Sequence, residues 1–349
     1  MTVYFTALNI LKEGNKMKRR LLAVLLAMAM VLVLVACGST ETTEAASSAA
    51  DASGEHYSVG IVQLVQHVAL DAATQGFEDK LTELVESDGN TVDFDYQNAS
   101  GDSATCATIV NGFVSSDVDL IMANATAALQ AAQAGTSDIP VLGTSITDYA
   151  TALGIDDWEG TTGTNISGTC DLAPLEDQAE MLNELFPDAK KVGLLYCTAE
   201  PNSKYQIDTI TPYLEKLGYE CTEYSFTDSN DVASVTTKAA ADSDVIYIPT
   251  DNTAASCTET ISSIVIPAGI PVIAGEEGIC EGCGVATLSI DYYELGEATA
   301  EMAYEILVNG ADPADMEVSY APNVTKEYNA DTCKELDIDI PDDYVAIGE

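Results

Sequence analysis

The sequence predicts an α/β fold with two lobes of similar topology, each built on a parallel sheet, and three observations support this prediction. From residue 57 onward, short segments rich in β-branched residues alternate with segments of helical periodicity. The order of segments in the first half of the chain recurs in the second half. A long amphipathic helix and a strand follow the second copy. A plain tandem does not need these last elements, so we expect the chain to cross between the lobes more than once.

The elements of the first copy follow from their periodicity. Apolar residues recur at helical spacing over 69–87 and 102–115, where Asp71 and Asp102 suit N-cap or first-turn positions. Strand–helix alternation at this rhythm implies parallel strands with helices on both faces of the sheet. The predicted strands are VGIV (59–62), VDFDY (92–96), DLIMA (119–123) and PVLG (140–143).

The second half of the chain repeats the first in four stretches that occur in the same order. One such match is weak, but four in order indicate two lobes of one plan. The pairs are YSVGIVQLVQH (57–67) with KKVGLLYCTAE (190–200), FDYQNASGDSATCATIVNG (94–112) with EYSFTDSNDVASVTTKAAA (223–241), DLIMANATAAL (119–129) with DVIYIPTDNTAAS (244–256), and DIPVLGTSI (138–146) with GIPVIAGEEG (269–278). The elements left over are a strand at 285–290, a helix at 291–310 ended by Gly310, and a strand at 316–320.

The N-terminal segment has the pattern of a signal peptide. Three basic residues at 18–20 precede sixteen uncharged, apolar residues at 21–36, a run too short to span a bilayer comfortably. The run ends in Leu-Val-Ala before Cys37, which resembles the lipobox of bacterial lipoproteins, so Cys37 is expected to be lipidated. An ordinary signal peptide or an anchor helix is the alternative. Residues 1–16 fit neither, and Met17 is the better start. Residues 38–56 are small, polar and acidic, as expected for a flexible tether.

The charge of the chain excludes several classes of function. Thirteen Lys and Arg against 57 Asp and Glu give a net charge of −44, and no arginine follows Cys37. A surface this negative repels nucleic acid and gains nothing from anionic lipid. Without arginine, the mature chain has no guanidinium to clamp a carboxylate or phosphate.

The pseudo-symmetry nominates a binding site. Ligands of open parallel sheets bind beyond the carboxyl ends of the strands, so equivalent loops of the two lobes should line one cleft. Asp251 is the first choice for a ligand ammonium group, with Glu276 and Asp171 as second choices; Asp251 also suits a purely structural N-cap. Short polar residues at helix starts suit a ligand carboxylate. The loops that the repeat nominates are 63–70 with 196–203, 123–127 with 249–253 and 143–147 with 274–278, and the segment 165–174 follows the first crossover. They contain the predicted ligand-binding residues, which are Gln63, His67, Asn124, Thr126, Thr144, Ser145, Ser167, Asp171, Tyr196, Asp251, Asn252 and Glu276.

Several of these segments resemble a known family. GIVQLVQHVALDAATQGFEDKL, DLIMANATAALQAA, YIPTDNTAAS, PVIAGEEG and IDYYELGEATAEMA are similar to the substrate-binding lipoproteins of ABC importers, a family with tryptophan- and aromatic-amino-acid-binding members. The resemblance spans about residues 57–340. It implies the type I periplasmic-binding-protein fold, with two Rossmann-like lobes, a three-crossover hinge and a closing cleft. It also implies a free aromatic amino acid as ligand, and an ABC permease with its ATPase as partners.

These inferences give a domain plan and a location. The plan is a signal peptide at 1–36, the lipidated cysteine and tether at 37–56, a first lobe at 57–166 with 289–318, and a second lobe at 167–288 with 319–349. The protein is expected outside the cytoplasm of a bacterium, anchored to the membrane by lipid. No catalytic residue, metal or cofactor is expected.

Other functions remain open at this point. The same fold could bind a sugar or nucleoside, although the single Trp and the missing arginines argue against it, or it could present its ligand to a sensory receptor. An enzyme is disfavoured because no GxSxG, HExxH or phosphate-loop motif occurs. Of the eight cysteines after Cys37, Cys280 and Cys283 form a lone CxxC, too few ligands for zinc. The best guess for a disulfide is Cys170 with Cys197, both expected on the cleft side of the second lobe.

Overall fold

Two sheets organise the residues that the computed structural model describes, 54–321 and 323–348. The predicted signal peptide, Cys37 and most of the predicted tether lie outside these residues. None of the described helices is long and apolar enough to cross a membrane.

The first sheet has six strands in the order β11-β5-β4-β3-β1-β2, and every pairing in it is parallel. β3 and β4 are buried along their whole length, as expected for strands covered on both faces. The strands are β1 (His56–Gln63), β2 (Thr91–Asn98), β3 (Leu120–Asn124), β4 (Val141–Ile146), β5 (Ile166–Cys170) and β11 (Ser319–Tyr320). The helices of this lobe are α1 (Val68–Ser87), α2 (Ser103–Ser116), α3 (Thr126–Gly135), α4 (Tyr149–Leu153) and α11 (Tyr292–Leu307), with a 3₁₀ turn at Pro313–Asp315.

The second sheet has seven strands in the order β13-β12-β10-β9-β8-β6-β7, and only the β10–β12 pair is antiparallel. Its strands are β6 (Lys191–Cys197), β7 (Glu220–Phe226), β8 (Val245–Ile248), β9 (Val272–Ala274), β10 (Ala286–Ser289), β12 (Thr325–Tyr328) and β13 (Val345–Ala346). Its helices are α5 (Leu175–Leu185), α6 (Pro201–Leu217), α7 (Val232–Asp242), α8 (Asn252–Ala255), α9 (Thr258–Ala268), α10 (Glu277–Cys283) and α12 (Ala330–Glu335).

The predicted extra helix, α11, packs on α1 in the first lobe. Glycines make this contact close. A Cβ added at Gly76 would lie 2.2 Å from the carbonyl oxygen of Tyr293, and one at Gly296 would lie 2.0 Å from that of Ala73. Because each glycine faces the backbone of the other helix, the two helices approach more closely than larger residues would allow. The segment after the second copy therefore completes the first lobe.

Three segments, 171–174, 290–291 and 321–324, connect the two sheets. We call residues 54–170 with 292–320 the first lobe, and residues 175–289 with 325–348 the second lobe. The predicted boundaries at 166/167 and 318/319 fall just before or within β5 and β11, which both pair in the first sheet. The chain thus leaves the first sheet only after Cys170 and after Tyr320. The first lobe contains a single basic side chain of the Lys or Arg type, Lys80.

The guessed disulfide between Cys170 and Cys197 is wrong. Cys170 ends β5 of the first sheet, whereas Cys197 ends β6 of the second, so the two residues belong to different lobes. The Cys170 thiol donates to the carbonyl oxygen of Thr147 at 3.2 Å, and the Cys197 thiol to that of Thr227 at 3.5 Å. All eight cysteines of the described residues are free thiols.

Candidate functional site

A cavity of about 170 Å³ lies between the two lobes, at the carboxyl ends of their strands. Leu64 after β1 and Ala127 in α3 line it from the first lobe. Glu200, Asn202 and Asn252 line it from the second lobe. The loops after β1, β3, β6 and β8, which the internal repeat nominated, therefore meet in one cleft, as the rule for open parallel sheets predicts.

The first lobe presents buried polar groups that the described residues leave without hydrogen-bond partners. Among them are Oγ of Ser145, Oγ1 of Thr147 and Oδ1 of Asn124, and Oδ1 of Asp171, at the connection after β5, is unpaired as well. Ser145 adopts a positive φ of 55° near the end of β4, and Ala125 does so at 86° just after β3. Strained backbone and unpaired buried polar atoms are both costly, and proteins retain them mostly where function requires them.

Asp171 stands at the first connection between the lobes and is 3% exposed. Its Oδ2 accepts a hydrogen bond of 3.0 Å from the hydroxyl of Tyr292. Burial raises the pKa of the Asp171 carboxyl to about 6, although the nearby Thr147 and Tyr292 hydroxyls oppose this shift. The side chain is therefore a buried, ionisable acceptor whose second oxygen, Oδ1, has no hydrogen-bond partner among the described residues.

The N-terminus of α3 also faces this region. Ala125 is its N-cap residue, and no side chain of the described residues caps the helix. The amide of Ala125 donates to the carbonyl oxygen of Thr144 at 3.1 Å, which fixes the turn between β3 and α3. The first amides of a helix without a side-chain cap attract an anion, because the helix dipole adds to their free N–H groups.

Two predicted site residues instead hold α1 to the sheet. Asn124 donates from Nδ2 to the carbonyl oxygen of Leu70 at 2.8 Å and to Oγ1 of Thr74 at 2.9 Å. Gln63 accepts from the Thr74 hydroxyl at 2.7 Å and donates to Oδ1 of Asp71 at 2.6 Å. These bonds lie inside the first lobe, so Gln63 and Asn124 fix the position of α1 on the sheet.

Other predicted residues are also bonded within their own lobe. The Thr144 hydroxyl accepts a bond of 3.3 Å from Thr169, and the Ser167 hydroxyl donates to the carbonyl oxygen of Met316 at 3.1 Å. The Tyr196 hydroxyl donates to the carboxylate of Glu223, which stands on the neighbouring strand β7. The hydroxyls of Ser167 and Tyr196 therefore bond to residues that do not line the cleft.

The acids Asp251 and Glu276 cap helices of the second lobe. Asp251 accepts at Oδ1 from the amide of Ala254 (2.8 Å) and at Oδ2 from the amide of Cys197 (2.6 Å). Glu276 accepts from the amides of Gly278 and Ile279 at 2.7 and 2.6 Å. Burial raises the pKa of each carboxyl to about 7. Both oxygens of both acids thus have backbone donors, which is the N-cap alternative that the sequence left open for Asp251.

Sequence reasoning missed Glu200, which directly precedes Pro201 at the start of α6. Its carboxylate accepts from the backbone and side-chain amides of Asn252 at 3.1 and 2.7 Å. It also accepts from the amide and hydroxyl of Thr253 at 2.8 and 2.7 Å. The signal was present, since Glu200 is an acid in a nominated loop directly before a helix-starting proline. Thr147 was missed as well, and the hydrogen bond of Tyr292 to Asp171 was not predicted.

One side-chain hydrogen bond joins the loops of the two lobes in the described part of the chain. Nε2 of His67, at the start of α1, lies 3.2 Å from Oδ1 of Asn252 in α8. Nδ1 of the same ring is buried and has no partner among the described residues. His67 and Asn252 are thus the two predicted site residues that the structure brings into direct contact across the cleft.

The arrangement suits the enclosure of a small polar molecule. Within residues 54–321 and 323–348, no group of three or more His, Cys, Asp or Glu side chains is placed to hold a metal ion. Two α/β lobes with three connections and a polar cleft between them define a solute-binding protein. Residues 58–347 match the family model of ABC transporter substrate-binding proteins, and the chain belongs to this family. Its members bind substrates, and the protein is not an enzyme.

Three relatives show the degree of similarity. The chain is 35% identical over 324 residues, 93% of both chains, to the tyrosine-binding protein of Clostridioides difficile strain R20291. It is 33% identical, with a TM-score of 0.78, to an ABC domain from Streptococcus pneumoniae in complex with L-Trp, covering 82% of this chain and 97% of that one. It is 37% identical, with a TM-score of 0.63, to a ligand-free, open substrate-binding protein with adhesive properties from Clostridium difficile, covering 83% and 99%.

The two structural scores indicate the arrangement of the lobes. The tryptophan-bound relative superposes better than the ligand-free, open relative, although its sequence is slightly less similar. Lobe closure changes a superposition without any change in sequence. The present structure is therefore more similar to the tryptophan-bound relative than to the ligand-free, open one, and the contact between His67 and Asn252 joins its two lobes.

Proposed function

We propose that this protein captures a free aromatic amino acid outside the bacterial cytoplasm and delivers it to an ABC permease and its ATPase. The observation that carries the proposal is the set of buried, unpaired polar groups at Ser145, Thr147 and Asp171, at the carboxyl ends of β4 and β5. An amino acid offers one cation and one anion close together, and this set can satisfy both. The relatives named for tyrosine and solved with L-Trp support the aromatic side chain.

Asp171 is the proposed partner of the ligand ammonium group. A buried carboxylate is costly unless a cation or several donors compensate it. Tyr292 supplies one donor to Oδ2, and Oδ1 remains for an N–H of the ligand. Asp251, the first choice from the sequence, has backbone donors at both oxygens and so offers less to a ligand.

The ligand carboxylate is proposed to bind at the start of α3. The mature chain has no arginine to clamp it, so helix amides and hydroxyls must serve. Ser145 and Thr147 supply buried hydroxyls, and the helix that Thr126 begins supplies amides. The same helix end would repel a second cation, which fixes the orientation of the bound amino acid.

Lobe closure is the proposed mechanism of capture. A ligand that contacts both lobes favours the closed form by its differential affinity for that form. The permease then recognises the closed arrangement. The proposed motion is a rotation of one lobe against the other about the three connecting segments.

Lipid attachment at Cys37 is the proposed anchor, and it is tested separately. We expect wild-type protein to incorporate a radiolabelled fatty acid in a bacterial host and to fractionate with membranes. A Cys37→Ser variant should lose the label. Equal labelling of both would refute the lipobox assignment without touching the ligand assignment.

The ligand is tested by thermal shift and calorimetry on the chain after the signal peptide, carrying Cys37→Ser. The protein is first unfolded and refolded to remove any ligand that copurified. A ligand present at 100 times its Kd stabilises the folded form by about 2.7 kcal/mol, which is a clear rise in melting temperature. We expect this rise with Tyr, Trp or Phe. A rise only with sugars or nucleosides would refute the proposal.

A further inference from the structure

The orientation of the Asn252 amide follows from its contact with Glu200. Oε2 of Glu200 lies 2.7 Å from Nδ2 of Asn252 and also accepts the Asn252 backbone amide. A carboxylate accepts hydrogen bonds, so the amino group of Asn252 must face Glu200. Its oxygen, Oδ1, then faces Nε2 of His67 at 3.2 Å.

This orientation fixes the tautomer of His67. Because Oδ1 of Asn252 is an acceptor, Nε2 of His67 carries the proton and donates. In the neutral ring, Nδ1 is then a bare acceptor. It is buried, it receives no bond from the described residues, and the first turn of α1 does not use it as a cap.

The charges around the ring do not change this assignment. Asp71 on α1 and Glu200 before α6 are the charged groups that face it, and both favour the protonated ring. Burial has the larger, opposite effect and lowers the pKa of His67. The ring is therefore neutral in the closed form at neutral pH, with one unsatisfied acceptor.

The position of this acceptor relates it to the far end of a ligand. Asp171 follows β5 and His67 follows β1, and β4 and β3 lie between these two strands. Three strand spacings amount to about 14 Å. With its ammonium group at Asp171 and its carboxylate at the start of α3, as proposed, an amino acid would extend along this edge from β5 toward β3 and β1.

We propose that Nδ1 of His67 accepts a hydrogen bond from the donor at the far end of an aromatic side chain, a phenol O–H or an indole N–H. His67 would thereby make the site prefer tyrosine or tryptophan to phenylalanine. This role rests on the proposed function. A site built to pair a ligand donor rejects the analogue without it, since its own buried group is then left unpaired.

The wild-type protein tests the idea first. Calorimetry with L-Tyr and L-Phe, and with L-Trp and 1-methyl-L-tryptophan, compares ligands that have the donor with ligands that lack it. We expect at least one pair to differ by about tenfold or more in Kd. Equal affinities within both pairs would refute the role of His67. Failure of every aromatic amino acid to bind would instead refute the proposed function and this role with it.

Substitution then assigns the preference to this ring. His67→Leu should bring the two Kd values of the discriminating pair to within about threefold of each other, because it removes the acceptor and keeps an apolar side chain. His56→Leu is the matched control, since His56 is exposed on β1 and bonds only to Thr91 and Asp93. Asn252→Ala removes the contact across the cleft and should weaken all ligands by a similar factor. A preference that survives in His67→Leu would overturn the proposal.

Discussion

Replacement of Asp171 by Asn tests the centre of the proposed site. The change removes the charge, keeps the shape, and leaves an amide oxygen that the hydroxyl of Tyr292 can still donate to. Removing one partner of a buried, hydrogen-bonded charge pair costs about 2–5 kcal/mol. The Kd for the aromatic amino acid should therefore rise by roughly 30-fold to a few thousand-fold.

The same substitution should stabilise the ligand-free protein, although it weakens binding. Burial raises the pKa of Asp171 from the ordinary 3.8 to about 6, so the ionised carboxylate destabilises the folded state. This penalty grows as the pH rises from about 4 to about 6 and is fully present above that range. Asp171→Asn removes the penalty and should raise the melting temperature of the empty protein at pH values above about 7. Weaker binding together with higher stability is the signature of a group retained for its ligand.

Calorimetry and thermal unfolding of three variants decide the matter. Glu276→Gln is the control, because it changes another buried carboxylate whose oxygens accept backbone amides. It should change the Kd by less than about threefold, because no ligand contact is assigned to Glu276. Asp251→Ala carries the sequence-based alternative, which expects at least tenfold weaker binding. A Kd within about threefold of wild type for Asp171→Asn, with tenfold weakening for Asp251→Ala, would refute the reasoning from the structure.

Three further outcomes are expected. The affinity for a ligand with a hydrogen-bond donor should fall as the pH is lowered from about 7.5 to about 5, because the ring of His67 must be neutral to accept that bond. Burial lowers the pKa of His67 in the closed form, whereas in the open form the ring should titrate near its ordinary value of about 6.5. A His67→Leu variant isolates this effect, and an identical pH profile would contradict it. Gly168→Ala should lower the free energy of unfolding in urea by about 2–4 kcal/mol, because φ is +140° and the new Cβ would lie 2.0 Å from the carbonyl oxygen of Gly143; Gly101→Ala, with open space around it, should cost about 1 kcal/mol, and equal losses would count against the steric argument. Thiol titration of the unfolded Cys37→Ser chain should find the eight free cysteines with and without reductant, and a lower count without reductant would reveal a disulfide.

The fold was accessible from the sequence because its two determinants are local or repetitive. Buried parallel strands such as β3 are continuous apolar runs, and the order of segments repeats between the lobes. The extra helix α11 could be predicted from its periodicity. Its packing on α1 could not be predicted, because Gly76 and Gly296 each contact the backbone of a helix that is more than 200 residues away in the sequence.

The loops that form the site could be predicted from the sequence, but the roles of the residues in them could not. The sequence placed Asp251 and Asp171 in cleft loops, but a cap and a ligand contact use the same side chain, and only hydrogen-bond partners distinguish them. Glu200 was not predicted because four of its five donors come from residues 252 and 253, which are distant in sequence. The guessed pair of Cys170 and Cys197 failed for a related reason, since β5 belongs to the first sheet and not to the second.

The contact between His67 and Asn252 also affects how much of the protein is closed when no ligand is bound. One neutral hydrogen bond contributes about 1 kcal/mol, a factor of roughly five in an equilibrium between two conformations. Both lobes are strongly acidic, and the first has Lys80 as its single Lys or Arg side chain, so mutual repulsion works against that small gain. Without ligand, the protein would then populate the closed form only briefly. A transporter that recognises the closed form would rarely be activated by the ligand-free protein, and little ATP would be hydrolysed without transport.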